Sequence, residues 1–330
     1  HPVGYGVKVV TKDGKLVRVE GDDDNPITRG RVNAMNLALR EFTYAPERII
    51  HPMKRAREDR GLDKWVQTTW DEALDTICEK VRYFQNTYGP QSIVVFGGTG
   101  REANNWYPQW ANLVFGTPNS IYAQAGWSCY GPRMSNTAFM IGGGYPEIDY
   151  AQKFDDRYDH EGWVPPEVIV LWGSNPAWSR AGLPTYDYLQ CKEAGGKFVC
   201  VDPFYTPTAK VLTDDYIPIR PGTDSAAFLA MAYVLLTQDD PENNPLIDWD
   251  FLDRCTIGFD ADHLPEGADP KKNYRDYVLG TYDGVPKTPE HASAICGTPV
   301  ETIKNFAKEI ASTKPMAWKS SGAPARTYYG

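Results

Sequence analysis

Cys129 lies in a glycine- and proline-bearing stretch, Gln124 to Met134, with the sequence QAGWSCYGPRM. A cysteine thiolate is a soft ligand of the kind that binds transition metals. A lone cysteine is more often a buried and unreactive thiol, and that interpretation is the default for any one such residue. Cys129 is therefore either a metal ligand or a packing residue, and the residues of this stretch alone do not decide between the two.

Four other stretches end apolar runs with polar residues that suit a nucleotide-like ligand. They are FGGTGRE, LWGSNPAWSR, VDPFYTPTA and RPGTD. Carboxylates accept hydrogen bonds from guanine amino and imino groups, and glycine NH groups can meet phosphate. Each stretch alone also has an ordinary structural explanation. FGGTGRE lacks the G-x-G-x-x-G pattern of a dinucleotide-binding loop, and the Asn-Pro pair of LWGSNPAWSR is typical of turns. Asp202 and Asp224 could each cap a helix. Together, the turns predict a site for guanine-type bases and their pyrophosphates.

The elements that carry these turns alternate between strand and helix. Apolar β-branched runs such as PEVIVLW and KFVCV are typical of buried parallel strands. Helical segments such as TYDYLQCKEAGG and SAAFLAMAYVLL follow them. This alternation predicts an α/β fold with a doubly wound parallel sheet, in which ligands bind at the carboxyl ends of the strands.

Local signals predict further element boundaries. Asp13-Gly14 predicts a β-hairpin over residues 5–20. Thr69 followed by Glu72 is a capping-box pattern that begins a helix ending near Tyr88. Thr298 followed by Glu301 predicts a second capped helix, and KPMAWKSSG then predicts one more strand.

Composition and charge disfavour several classes of protein. The 330 residues are 42% hydrophobic and 23% charged, as in globular proteins, and no apolar run approaches the about 18 residues of a membrane-spanning helix. A net charge of −9 disfavours nucleic acid as a partner. The six cysteines form no C-x-x-C pair and are too sparse for a disulfide scaffold. The chain begins at His1 without a signal peptide, so it reads as an internal piece of a longer polypeptide whose compartment is open.

An ordered series of motifs carries a resemblance to a known family. The stretches YAPERIIHPMKRA, KWVQTTWDEALDTI, SCYGP, LWGSNP, VDPFYTPTA and IPIRPGTDSAA follow one another along the chain. In this order they resemble the catalytic subunit of the molybdopterin oxidoreductases, the dimethyl sulfoxide reductase superfamily. The resemblance implies a bis-molybdopterin guanine dinucleotide that holds one Mo or W atom, in a multi-domain subunit longer than this chain.

The resemblance assigns residues to the metal and to the cofactor. SCYGP stands where the family places its protein-derived metal ligand, which makes Cys129 the ligand of Mo or W. The turns after the strands match cofactor contacts at Trp172, Gly173, Ser174, Asn175, Asp202, Pro203, Gly222, Asp224, Ser321 and Gly322. The implied domains are a β-rich N-terminal subdomain over 1–50, an α/β domain over 51–128, and a Rossmann-like cofactor domain over 129–330.

The N-terminal region departs from the family pattern. Many members have a four-cysteine 4Fe–4S site whose last ligand lies in G-R-L-C-x-K-G. This chain has GRVNAMN, with Asn33 in place of the cysteine and Met35 and Asn36 in place of the lysine and glycine. Because an amide cannot replace a thiolate on iron, the chain is expected to hold no cluster. Electrons would then come from an iron–sulfur partner subunit, unless the net reaction needs none.

The residue after Cys129 bears on the substrate. It is Tyr130, whereas formate dehydrogenases have histidine there, which argues against formate. Members without a cluster include transhydroxylases of trihydroxybenzenes, and catechol dehydroxylases and acetylene hydratase are related to them. The resemblance therefore favours anaerobic dehydroxylation or hydroxyl transfer on a polyhydroxylated aromatic. The candidate general acids are Glu102, Tyr107 and Tyr130, and the candidate walls, for which a place in the core is the alternative, are Trp106 and Trp127.

Other functions stay open at this point. They are another reductase or dehydrogenase of the superfamily acting on an oxyanion, a sulfur compound or formate, an acetylene-hydratase-like hydration, and a cofactor-free scaffold subunit of a respiratory complex. Retention of Cys129 and of the polar turns argues against the scaffold, and the missing glycine fingerprint argues against a nicotinamide dehydrogenase. The expected partners are a small phenolic substrate and an iron–sulfur electron-transfer subunit, with no nucleic acid and no direct membrane span.

Overall fold

The computed structural model describes residues 6–25, 28–97, 109–122, 166–179 and 183–320. The chain divides into two compact units. The larger comprises His1–Lys8, Glu20–Ala34 and Tyr145–Gly330, and the smaller comprises Val9–Val19 and Met35–Gly144. Within the described ranges, no helix combines the length and the apolar character that crossing a membrane would take. The three domains expected from the sequence stay a prediction.

A β-hairpin opens the described chain, as Asp13-Gly14 predicts. Strands β1 (Val7–Lys12) and β2 (Lys15–Gly21) are hydrogen-bonded to each other. Asp13 and Gly14 have φ values of 50° and 73°. Both values are positive, as a two-residue type I′ hairpin turn requires, and they match the twist of the flanking strands.

One long helix and several short elements follow the hairpin. They are α1 (Ala34–Leu37), α2 (Leu39–Thr43), the antiparallel pair β3 (Met53–Lys54) and β4 (Val66–Gln67), α3 (Trp70–Tyr88), and the parallel pair β5 (Val95–Gly97) and β6 (Ser120–Tyr122). α3 begins and ends where the sequence predicts. Its N-cap is Thr69, whose hydroxyl accepts from the Glu72 amide at 3.2 Å.

The prediction of the second hydrogen bond of the capping box, between the Thr69 amide and the Glu72 carboxylate, is wrong. In a capping box the Glu72 carboxylate would return to the Thr69 amide. It instead binds the Lys54 ammonium and the Thr68 hydroxyl. The hydrogen bond from Lys54 is the main cause that lowers the pKa of Glu72. The Lys54 ammonium carries a full positive charge, which a backbone amide lacks, so the Glu72 carboxylate gains more from this partner.

The larger unit is built on a four-stranded parallel sheet. Its strands are β7 (Val168–Trp172), β8 (Lys197–Asp202), β9 (Asp215–Pro218) and β10 (Met316–Ser320), in the order β10-β7-β8-β9. β7 is buried along its whole length. A strand that is buried on both faces needs no polar alternation, and its sequence VIVLW shows none. The prediction of an α/β fold with a parallel sheet is confirmed.

Helices cover both faces of this sheet. From β7 onward the described α-helices are α4 (Pro176–Ser179), α5 (Leu183–Glu193), α6 (Pro207–Leu212), α7 (Asp224–Gln238), α8 (Trp249–Cys255), α9 (Tyr274–Leu279), α10 (Pro289–Cys296) and α11 (Val300–Ser312). Five of them, α5, α6, α7, α10 and α11, form the cores on the two faces. Val168, Val170 and Trp172 face a core shared with α7, α10 and α11, whereas Ile169 and Leu171 pack with α5 and α6. Since successive residues of a strand point to opposite faces, one apolar run serves both cores.

The predicted cap of α11 is wrong, although the helix itself is confirmed. The N-cap position belongs to Pro299. The Thr298 hydroxyl donates to the Pro218 carbonyl at the end of β9, at 2.8 Å. Thr298 is buried, so its hydroxyl needs a partner within the protein, and the neighbouring strand supplies one.

A histidine joins α8 to the loop that follows it. His263 Nδ1 lies 2.6 Å from Asp260 Oδ1, and His263 Nε2 lies 3.2 Å from Asp253 Oδ1. Because carboxylates only accept, both ring nitrogens must donate for both contacts to be favourable, and the ring is then an imidazolium. The hydrogen bond with Asp260 raises the pKa of His263, and the same bond lowers the pKa of Asp260. We call this arrangement the histidine clamp.

The histidine clamp should stabilise the fold less as pH rises. Since the folded-state pKa of His263 is raised above 6.5, the contribution is complete below that value and is lost as pH rises through the folded-state pKa. We expect the difference in Tm between wild type and His263→Gln to shrink from about pH 6 to about pH 9. Thermal unfolding followed by circular dichroism measures it, with the exposed His291→Gln as control. A pH-independent difference would contradict the clamp.

Candidate functional site

The strand order creates a topological switch point between β7 and β10. β8 and β9 follow on one side of β7, whereas β10, the last described strand, lies on its other side. All four strands are parallel, so their carboxyl ends share one edge of the sheet. Ligands of such sheets bind outside that edge, where the strand order reverses. The polar turns after β7 and β8 therefore lie where the sequence predicts a ligand.

Trp172 and Asp224 are hydrogen-bonded to each other at this edge. The Trp172 indole Nε1 donates to Asp224 Oδ1 at 2.6 Å, and the residues are only 2% and 8% exposed. Asp224 is the first residue of α7, and the N-cap residue is Thr223. The alternative of an ordinary cap at Asp224 is therefore wrong. Its carboxylate binds an indole from β7, because a buried carboxylate needs a strong donor.

The turn after β7 is tied to β8 and to α6. Gly173 has a φ of +57°, which favours glycine, and its amide donates to the Val201 carbonyl at 2.8 Å. Asn175 Oδ1 accepts from the Thr208 hydroxyl at 2.7 Å and from the Thr208 amide at 3.3 Å. The same hydroxyl accepts from the Ala177 amide at 2.9 Å. Asn175 thus holds the turn against α6, beyond the turn chemistry that an Asn-Pro pair provides.

Thr208→Val is expected to destabilise the protein by roughly 1–3 kcal/mol, because it removes the acceptor of the Ala177 amide and one of the donors to Asn175 Oδ1. Thr208 is fully buried, and valine nearly matches its shape, so the change removes hydrogen bonds without opening a cavity. Chemical denaturation measures the loss. The control is Thr237→Val, an exposed residue whose hydroxyl binds the Tyr233 carbonyl of its own helix at 2.7 Å. Equal losses in the two variants would contradict the role given to Thr208.

Asp202 ends β8 as a half-buried carboxylate. Its Oδ1 accepts from the Phe204 amide at 3.1 Å, and its backbone carbonyl accepts from the Tyr216 hydroxyl at 2.7 Å. Burial raises the pKa of Asp202, and the negative charge of Asp224 raises it further. Asp202 does not cap α6, whose N-cap is Thr206. A carboxylate with a raised pKa gains from further N–H donors, so Asp202 fits a ligand that supplies them.

The turn that contains Gly222 is braced against α10. Arg220 Nη1 donates to the carbonyls of Ala294 at 2.9 Å and Ile295 at 3.0 Å. The Thr223 hydroxyl donates to the Arg220 carbonyl at 2.7 Å and closes the turn. The turn leads directly into α7, a helix of 15 residues. The start of such a helix favours an anionic ligand, in agreement with the predicted phosphate contact.

The N-terminal part of the larger unit contains a stack that the sequence analysis missed. The Arg31 guanidinium lies 3.5 Å from the centroid of the Tyr186 ring on α5. No local pattern signals this pair, because the two residues are far apart in the chain. Nearby, Asn33 is buried, and no cysteine precedes Cys78 in the sequence. Iron in such clusters takes thiolate ligands, and residues 6–25 and 28–33 supply none. The absence of a cluster from this chain stays a prediction.

Several predicted residues lie outside the described ranges. They are the metal ligand Cys129, the general acids Glu102, Tyr107 and Tyr130, the walls Trp106 and Trp127, and the cofactor contacts Ser321 and Gly322. Within the described ranges, no group of three or more His, Cys, Asp or Glu side chains is arranged to hold a metal ion. The metal site assigned to Cys129 stays a prediction.

Comparison with protein families and with characterised relatives gives consistent matches. The family model for molybdopterin oxidoreductase matches residues 48–254. Dimethyl sulfoxide reductase DmsA of Escherichia coli (strain K12) is 33% identical over 95% of this chain, and DmsA of Haemophilus influenzae is 32% identical over 98%. Trimethylamine-N-oxide reductase of Haemophilus influenzae is 27% identical over 94% of the chain. The matches cover 38%, 40% and 36% of these relatives, so the chain spans less than half of their length.

A solved structure has the same fold. Acetylene hydratase from Pelobacter acetylenicus superposes with a TM-score of 0.63 over 97% of this chain and 39% of its own. The two sequences are 21% identical. The likeness supports the α/β arrangement around a parallel sheet, independently of what the neighbour acts on.

Proposed function

The chain belongs to the molybdopterin oxidoreductase family, and from this premise we propose that the protein is a molybdenum enzyme that reduces an S-oxide or an N-oxide. The similar relatives are named as dimethyl sulfoxide and trimethylamine-N-oxide reductases, which supports this substrate class. Such a reduction consumes two electrons and two protons, and it releases a sulfide or an amine together with water. The protein would need an electron donor, for which an iron–sulfur partner subunit is the proposed source.

The carboxyl edge of the parallel sheet is the observation that carries the cofactor assignment. Asp202 would accept hydrogen bonds from the guanine of a pterin guanine dinucleotide, because its half-buried carboxylate has a raised pKa and gains from N–H donors. The turns at Gly173 and Gly222 would let the backbone approach the pyrophosphate. Helices on both faces of the sheet support the further proposal of a doubly wound, Rossmann-like cofactor domain.

The metal itself would be held by Cys129, on the ground of the SCYGP motif. A thiolate suits a metal whose other ligands are sulfurs. When bound, the cofactor supplies a metal centre for oxygen-atom transfer coupled to two-electron transfer. The chain's own part is to bind and orient the cofactor at the sheet edge. The buried Trp172 and Asp224 would exclude water behind the turn that receives it.

A second candidate is the dehydroxylation or hydroxyl transfer on a polyhydroxylated aromatic. The residue that supports it is Tyr130, directly after Cys129, because a tyrosine at that place can act as a general acid, whereas its difference from the histidine of formate dehydrogenases argues only against formate. In this case Glu102, Tyr107 and Tyr130 would supply the proton to the departing hydroxyl. The missing cysteine at Asn33 fits either candidate, since electrons can come from a partner subunit.

Metal analysis and a substrate panel separate these functions. The full-length protein is purified without oxygen, its Mo and W are measured, and activity is followed with a reduced viologen as electron donor. Dimethyl sulfoxide and trimethylamine N-oxide test the first candidate, and catechol and pyrogallol test the second. Mo with oxide turnover is the expected result. Turnover of the phenols alone would favour the second candidate, and absence of Mo, W and pterin would contradict both and favour a cofactor-free scaffold.

A further inference from the structure

Stacked indoles join the two strands that flank the switch point. Trp172 ends β7, and Trp318 lies on β10, with ring centroids 5.3 Å apart and planes inclined by 20°. Phe228 of α7 packs on Trp172 with its centroid at 4.5 Å. The three rings form an aromatic layer between the sheet and α7, directly beside the turn that begins at Gly173. The orientation of the Trp172 ring therefore affects how the ends of both β7 and β10 are placed.

Asp224 fixes the direction of that ring. An indole has one donor, Nε1–H, and here it points at Asp224 Oδ1 over 2.6 Å. The bond is short, and the oxygen of a carboxylate or of a side-chain amide can accept it. Asp224 is itself fixed, because it is the first residue of α7, where the helix dipole favours a negative charge. One hydrogen bond thus connects α7 to the end of β7.

We propose that Asp224 is a positioning residue, which holds the Trp172 indole and through it the strand ends at the switch point in the arrangement that the cofactor needs. The proposal rests on the proposed function. It differs from the direct cofactor contact that the family resemblance implies for Asp224, because it assigns the carboxylate to Trp172. The negative charge is then dispensable, whereas the ability to accept from the indole is not.

Four variants separate the ability of residue 224 to accept a hydrogen bond from the indole from the effect of its negative charge. Asp224→Asn keeps a carbonyl acceptor for the indole and removes the charge. Asp224→Leu removes the acceptor. Trp172→Phe removes the donor and leaves a buried carboxylate without it. The double variant Trp172→Phe with Asp224→Leu removes both, and replacing both partners by apolar groups is less costly than stranding one of them.

The structure offers a matched control for the indole–carboxylate bond. Trp249 Nε1 donates to Asp239 Oδ2 at 2.6 Å, the same chemistry in the same unit. Trp249 begins α8, and Asp239 directly follows α7 at its end remote from Asp224. Trp249→Phe should therefore lower the thermal stability and leave cofactor loading unchanged.

The experiment measures the cofactor content of the full-length variants. Oxidised pterin fluorescence and Mo are determined per protein, and the near-ultraviolet circular dichroism of the tryptophans reports the ring arrangement independently of activity. We expect Asp224→Asn to keep the wild-type content and the tryptophan band. We expect Trp172→Phe and Asp224→Leu to lose roughly tenfold in content, as a buried group left without its hydrogen-bond partner costs on the order of a factor of ten. The double variant should recover part of the loss.

Two outcomes would overturn the proposal. If Asp224→Asn loses as much cofactor as Trp172→Phe, the charge itself binds the cofactor, and this comparison stands even when Asp224→Leu fails to fold. If the wild type and the Trp172→Phe variant contain the same amount of cofactor, the proposal for Asp224 is also overturned, whereas the proposed function stands. Wild-type protein without pterin or metal would overturn the proposed function and this inference together.

Discussion

Cys129→Ala is expected to abolish turnover while the protein keeps its pterin. If Cys129 is the metal ligand that the SCYGP motif indicates, its loss should reduce activity by more than about a hundredfold, since even residues one shell outside a metal cost about 10- to 100-fold when changed. The pterin should stay bound, because its proposed contacts at the sheet edge, at Asp202 and Gly173, do not involve Cys129. Activity, Mo and extracted pterin are measured on the same preparation.

Two further cysteine variants sharpen this prediction. Cys129→Ser should keep part of the activity, because the serine oxygen can still bind the metal, although an alkoxide is a harder ligand than a thiolate. Cys255→Ala is the control, since Cys255 is exposed at the end of α8. Full activity of Cys129→Ala would refute the metal assignment and return Cys129 to the alternative of a packing residue.

Asp202→Asn is expected to stabilise the cofactor-free protein and to weaken cofactor binding. The folded-state pKa of Asp202 is raised, first by burial and then by Asp224. Ionisation therefore costs stability as pH rises through the unfolded value of 3.8 towards the folded value, and the full cost applies above both. Asparagine removes that charge and can still accept from the Phe204 amide, so Tm at neutral pH should rise.

The same substitution should lower cofactor content by roughly tenfold or more, because a hydrogen bond to a charged group is worth about 1.5–3 kcal/mol. The asparagine also presents an NH2 group to the N–H donors of guanine. Stability given up at a binding residue is common at functional sites. Differential scanning calorimetry of cofactor-free protein and pterin analysis of loaded protein measure the two effects.

Asp214→Asn is a matched control with the opposite sign. Burial would raise the pKa of Asp214, but hydrogen bonds from Lys192 and from the Phe198 amide outweigh it and lower the pKa. Its Oδ1 lies 2.8 Å from Lys192 Nζ, and its Oδ2 accepts from the Phe198 amide at 2.9 Å. Removing this charge should lower Tm at neutral pH, and the loss should vanish at acid pH as Asp214 protonates in the wild type. A lower Tm in both variants would contradict the account of Asp202.

Predictions from short-range chemistry agree with the structure. The Asp13-Gly14 turn, the Thr69 cap and the apolar run of β7 each act through residues a few positions away, so their elements could be identified from the sequence. Placement of the polar turns at one sheet edge follows from the same reasoning, because carboxyl ends of parallel strands always share an edge.

Predictions of side-chain partners failed where a distant group competed with a local one. Glu72 and Thr298 carry helix-capping patterns, yet Glu72 binds Lys54, and Thr298 binds the Pro218 carbonyl. Asp224 likewise binds an indole 52 positions earlier in the chain. A capping pattern records what a side chain can reach within one turn of helix, and it cannot register a stronger donor or acceptor that packing brings close.

The sequence by itself determined the α/β class, the run of parallel strands and, through the order of its motifs, the family and the candidate ligand Cys129. Only the tertiary structure decided that β10 lies beside β7, which creates the switch point, and that Asp224 faces Trp172 there. Strand order and long-range pairs result from how whole elements bury their apolar faces against one another. No window of a few residues contains that information, whereas a turn or a cap is complete within one.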